Sequence, residues 1–140
     1  MSGSPTLDLQ GAIVTRLKAA PAVTAIVGAR IYDFVPRDDN GVISAEFPFV
    51  AFAGDDTLQD DVECVVGYDI SLTLDVWSRA VGYPEARRLA DAVAKALHNW
   101  PAPLQSHKLV TLQHRQTLML RDPDGLTSHG VIRLRAAVTE

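Results

Sequence analysis

VVGYDISLTLDVWSRAVGYPEARRLADAVAKALHNW, Val65 to Trp100, carries a strand, a turn and a helix in one run. Tyr68, Ile70, Leu72, Leu74 and Val76 alternate with Asp69, Ser71, Thr73 and Asp75. Period-two alternation of this kind marks a strand with one face in the core and one in water. Trp77 and Ser78 end the strand, and Gly82, Tyr83 and Pro84 turn the chain. Leu89, Val93, Ala96, Leu97 and Trp100 then recur at helical spacing, with Glu85, Arg87, Arg88, Asp91 and Lys95 mostly on the rest of the surface. Pro84 suits a first helical position, and Pro101 and Pro103 close the segment. The simplest packing lays this helix across the strand's apolar face.

Upstream, Ser4 and Pro5 suit the N-cap and first position of a helix running to about Ala20, with an apolar stripe of Leu9, Ile13 and Leu17. Pro21 stops it; Ala22 to Val27 reads as one further helical turn ended by Gly28, and Arg30-Ile31-Tyr32 as a short edge strand or strap. Asp33 to Glu46 reads as a long exposed loop and Phe47 to Ala53 as a strand. Gly54 to Glu63, with Asp55, Asp56, Asp60, Asp61 and Glu63, reads as an acidic hairpin loop. Downstream, Leu109 to Leu120 has strand character, with Val110, Leu112, Leu118 and Leu120 in one phase that His114 and Gln116 interrupt. Asp122-Pro123-Asp124-Gly125 is a turn, and His129 to Val138 the last strand, with Ile132, Leu134, Ala136 and Val138 inward and Arg133 and Arg135 outward. The expected fold is α+β: a mostly antiparallel sheet of about four main strands, with two principal helices packed on one face, in a single domain over residues 1–140.

The chain has 140 residues, 47% of them hydrophobic and 21% charged, which is a globular rather than a disordered composition. Its net charge of −4 argues against a dedicated nucleic-acid binder. One cysteine, Cys64, rules out an internal disulfide framework and reads as a small structural hydrophobe at the start of the main strand. No apolar run approaches the roughly 20 residues that span a bilayer. Met1-Ser2-Gly3-Ser4-Pro5 lacks the basic and apolar regions of a secretory signal, so a soluble protein made in the cytoplasm is expected.

No catalytic constellation emerges. His98, His107, His114 and His129 include no pair at i, i+4 spacing within a helix, so no metal site is expected. Ser78 lacks the flanking glycines of a nucleophile elbow, and no phosphate-cradling loop is present. Asp69 and Asp75 share a strand face but stand about 20 Å apart, too far to work on one bond. The acidic stretch does not follow the ligand spacing of a calcium loop, and Asp122 and Asp124 lack that loop's later ligands. No cofactor is expected. Charge is nonetheless segregated, with acids from Asp55 to Glu63 and the arginines Arg115, Arg121, Arg133 and Arg135 on the late strands. On opposite sides of a subunit, the two sets could meet head to tail between neighbours; composition alone favours two ordinary solvated faces.

The ordered features resemble a known family. They comprise Leu9, Ile13 and Leu17; Val23 to Gly28 leading into Arg30-Ile31-Tyr32-Asp33; Pro36; Phe47-Pro48-Phe49-Val50; Leu74-Asp75-Val76-Trp77-Ser78; Gly82; the helix with Ala86, Leu89, Ala90, Val93 and Leu97; and the late strands around Asp124-Gly125 and Gly130. Together they resemble the tail-completion or tail-terminator proteins of long-tailed phages and gene transfer agents, over nearly the whole chain. The resemblance implies a structural virion protein rather than an enzyme. Its role would be a homo-oligomeric, hexameric ring that caps the tail tube, ends its polymerisation and meets a head-side connector or stopper. DNA would pass through the bore without specific binding, at the head-proximal end of a virion assembled in the bacterial cytoplasm. In such a ring Arg115, Arg121, Arg133 and Arg135 are candidates for the interface. Asp55, Asp56, Asp60, Asp61 and Glu63 are candidates for the lumen or for an interface. The alternatives are a head-tail connector or minor tail protein of the same particle, and, in a different class, a small-molecule-binding domain or enzyme. The loops at 33–46 and 54–63 match no pattern of the family.

Overall fold

Three helices cover one face of a five-stranded mixed sheet in the computed structural model, which describes residues 3–140. Met1 and Ser2, part of the stretch read for a signal, lie outside the described residues. The elements run α1 (Pro5–Ala19), α2 (Pro21–Val27), β1 (Ile31–Tyr32), β2 (Phe49–Gln59), β3 (Gly67–Ser78), α3 (Pro84–Leu97), β4 (Lys108–Arg121) and β5 (Ser128–Thr139). The strand order is β1-β2-β3-β5-β4. β3 lies at the centre, antiparallel to β2 on one side and to β5 on the other.

The strand-turn-helix reading holds over Gly67 to Leu97, while Val65 and Val66 lie in the hairpin turn and Trp100 lies beyond the helix. Ile70, Leu72, Leu74 and Val76 are buried, and α3 lays Leu89, Ala90, Val93 and Leu97 into the same core. Ile132, Leu134, Ala136 and Val138 of β5 join them, as do Leu9, Ile13 and Leu17 of α1. The Ser4 hydroxyl accepts from the Leu7 amide at 3.1 Å and caps α1. Arg16 Nε donates to the Ala96 carbonyl at 2.9 Å and ties α1 to the end of α3.

Four expectations change. The expected two helices and about four antiparallel strands become three helices and five strands. Pro21, which ends α1, also opens α2, because a proline at the first helical position gives up only an amide that would have no partner. β1 is two residues long, too short to show alternation, and pairs parallel with Val50 and Ala51, so the sheet is mixed. The acidic segment is not a loop throughout. β2 continues through a bulge between Phe52 and Asp55 to Gln59, and only the residues from Asp60 to Val66 make the turn. Aspartate is a poor strand former, but in this solvent-exposed half of β2 it has no core to disrupt. In β4, bulges at Leu109/Thr111 and His114/Gln116 shift the phase, so Leu112 is buried while Val110 and Leu120 are 58% and 48% exposed. Finally, Cys64 is exposed at the tip of the β2–β3 hairpin, not a buried hydrophobe.

A candidate interaction surface

Alternation along β3 and β5 puts one set of side chains in the core and leaves the other set on the helix-free face of the sheet. Asp69, Ser71, Thr73, Asp75 and Trp77 lie there, with Arg133 and Arg135 opposite Thr73 and Ser71. Because β2 and β5 both flank β3, part of the acidic set lies beside arginines of the same subunit, although β2 and β4 themselves stand toward opposite edges of the sheet. Asp55, Asp56, Arg115, Arg133 and Arg135 line one open cleft of about 570 Å³.

Part of that charge is already neutralised. Arg135 donates twice to Asp69, from Nε at 2.9 Å and Nη2 at 2.7 Å. The hydrogen bonds from Arg135 outweigh partial burial and hold the Asp69 carboxyl below its ordinary range. Arg133 Nη1 donates to Gln116 Oε1 at 2.9 Å. Arg121 stands apart, over the Tyr83 ring at 4.5 Å. At the upper end of the same face, His129 stacks on Trp77 with ring centroids 3.8 Å apart, and its Nε2 lies 2.9 Å from Asp75 Oδ1.

Asp60 and Asp61 sit in the hairpin turn. Asp61 Oδ1 accepts from Gln59 Nε2 at 2.7 Å and from the Gly67 amide at 3.1 Å, which holds its carboxyl low. Glu63 occupies the left-handed region at φ 53°. Beside it Val62, Val65 and Val66 are exposed, an apolar tip on an acidic hairpin. The run Val62 to Val66 carried the signal for this tip, but its valines read equally well as the start of a buried strand. Of the histidines, His98 and His114 come together, the His114 amide donating to His98 Nδ1 at 3.0 Å.

Asp8 was not legible as a structural residue. Its carboxylate accepts from the amides of Gln105 and Ser106, each at 2.8 Å, and from His107 Nδ1 at 3.0 Å. This clamp fastens α1 to the connector ahead of β4. Burial pushes the Asp8 carboxyl up, but the three hydrogen bonds outweigh it and leave it below its ordinary value.

A family model described as "Tail completion protein gp17" matches residues 11–139. The chain belongs to this family. It is therefore a tail completion protein, a structural component of phage-type tails and so of the virion. No curated protein matches it. This tail completion protein is similar in fold to a chain in a structure titled "Virion of native gene transfer agent (GTA) particle", with a TM-score of 0.86 and 24% identity. That likeness covers 99% of the tail completion protein and 100% of the other chain.

Proposed function

We propose that this protein is a tail terminator, acting as one domain over residues 1–140. Copies form a ring, hexameric by the resemblance, that caps the finished tail tube. The ring ends tube polymerisation at the head-proximal end and meets a head-side connector or stopper, and DNA crosses its bore without specific binding. Its work is shape and docking, with no reacting group. The observation that carries this reading is the tail-completion family match along nearly the whole chain. Assembly in the bacterial cytoplasm goes with it.

Particles made without the protein should carry tails of irregular length or remain unjoined to heads. Joined particles with tails of the correct length would overturn the reading. Gold-labelling the chain in intact particles tests its place; a label away from the head-proximal end favours a minor tail protein.

The geometry divides the four arginines. Arg133 and Arg135 lie on β5, inside the sheet, while Arg115 and Arg121 lie on the edge strand β4. Edge residues are the better placed for contact between copies. Reversing both in R115E/R121E should weaken self-association about tenfold at low salt and less at high salt, because mobile ions screen exposed charges. Sedimentation at two ionic strengths reads this, and an unchanged association constant would leave Arg115 and Arg121 merely facing water.

A further inference from the structure

Both edges of the sheet are half covered. On β2, β1 takes only Val50 and Ala51, and the Val50 amide donates outward to the Arg30 carbonyl at 3.0 Å. Following the ladder through the bulge, the backbone groups of Asp55, Thr57 and Gln59 also point outward. On β4, the end of α3 covers the first half of the edge. Asn99 N donates to the Leu112 carbonyl at 2.8 Å, and His114 N is held by His98. Beyond the bulge at His114/Gln116 the backbone groups of Thr117, Met119 and Arg121 point outward. Among the described residues, none of these six has a backbone partner on its outer side.

Long open edges invite pairing, and soluble proteins normally block them. These two differ in charge. The β2 edge carries Asp55 and Asp56 and runs into Asp60 and Asp61, whereas the β4 edge carries Arg115 and Arg121. Each edge would repel its own kind and attract the other.

Resting on the ring reading above, we infer that neighbouring copies join by antiparallel pairing of Asp55–Gln59 of one copy with Thr117–Arg121 of the next. One register satisfies every constraint. With Thr57 opposite Met119, the three outward positions on each strand face each other, and Asp55 stands opposite Arg121. The same register sets Leu58, 61% exposed, opposite Leu118, and both lie on the helix-free face. Thr57 and Met119 both lie on the helix face, so all copies keep their helices on one side. Unrotated head-to-tail neighbours present β4 and β2 in opposite directions, as antiparallel pairing requires.

The stagger between the free halves is also suitable. Thr57 is level with Ile70, and Met119 is level with Val76 across the sheet. That separation is about 20 Å along the strands. Spread over the four long strands of one copy, spaced about 4.8 Å, it inclines the strands about 45°, at the upper end of the range that closed sheets use.

The test uses particles carrying C64S, so that introduced thiols stand alone. L58C/L118C brings two cysteines to a non-hydrogen-bonded pair with Cα atoms about 4.5 Å apart, close enough for a disulfide. Oxidation should give a covalent ladder up to the full ring, and neither single-cysteine variant should. Independently, D55R should weaken association about tenfold, and D55R/R121D should restore it, since every copy supplies both edges. Unchanged unfolding midpoints would show that the charge variants fold, and the swap decides the matter should the cysteine pair misfold. Visible rings with neither ladder nor rescue would overturn edge pairing and leave the ring reading standing. Particles with no ring of this protein would overturn both.

Discussion

Leu74→Ala should lower the unfolding free energy by about 3–5 kcal/mol. Leu74 sits in the middle of the central strand β3, fully buried, flanked by Phe52 on β2 and Ile132 on β5. Truncation removes the transfer free energy of the lost methyl and methylene groups and leaves a cavity that five strands and α3 cannot readily close. A domain of this size has about 5–15 kcal/mol of stability in all, so this single change consumes a large share of it. Chemical denaturation reads the effect as a lower midpoint with an unchanged slope. A loss below about 1 kcal/mol would mean that the sheet and helices collapse around the gap.

Asp8→Ala should cost about 2–4 kcal/mol, although Asp8 lies near the start of the chain and outside the sheet. Its carboxylate is one-tenth exposed and serves three donors, and the His107 ring it holds is wholly buried. Alanine leaves the Gln105 and Ser106 amides and His107 Nδ1 without an acceptor, beside a His107 Nε2 that has no partner among the described residues. Asparagine offers one acceptor oxygen in place of two and should recover only part of the loss. The clamp also makes stability depend on pH. Because the folded carboxyl ionises below its ordinary value, its contribution is complete above the ordinary carboxylate range and fades as pH falls through the depressed folded value. Asp69 and Asp61, held low by Arg135 and by Gln59, act in the same direction. Measured unfolding should therefore weaken more steeply with acid in the native chain than in D8N. Parallel profiles would show that Asp8 keeps an ordinary carboxyl.

The elements that alternate cleanly were legible from residues alone. In β3 and β5 the period of two is unbroken, because both strands pair on both sides and bury one face throughout. In α3 the apolar positions recur every three or four residues, but the helix stops at Leu97, three residues before the Trp100 that the spacing included. β2 was cut short because Asp55 and Asp56 look like loop residues, although an exposed edge imposes no core requirement on them. In β4 each bulge inserts a residue and inverts the phase, so Val110 and Leu120 look inward on paper and face water in the fold. The two sets of charges were legible too, but their meeting in one cleft was not. It depends on β5 entering between β3 and β4, a pairing between segments about fifty residues apart that no local pattern announces. The Asp8 clamp was hidden for the same reason, since a single acid in a first turn normally reads as a partner for the helix dipole.

The distance along the chain between Asp8 and its donors sets an order of events during synthesis. The amides it grips belong to residues 97 and 98 positions later, and the Ala96 carbonyl that anchors Arg16 comes 80 positions after it. At translation rates of roughly 5–20 residues per second, the first helix waits about 5–20 s on the ribosome before its fastening point exists. Until then its stripe of Leu9, Ile13 and Leu17 has no finished core to enter, so a helix made before the sheet is among the last elements to be secured.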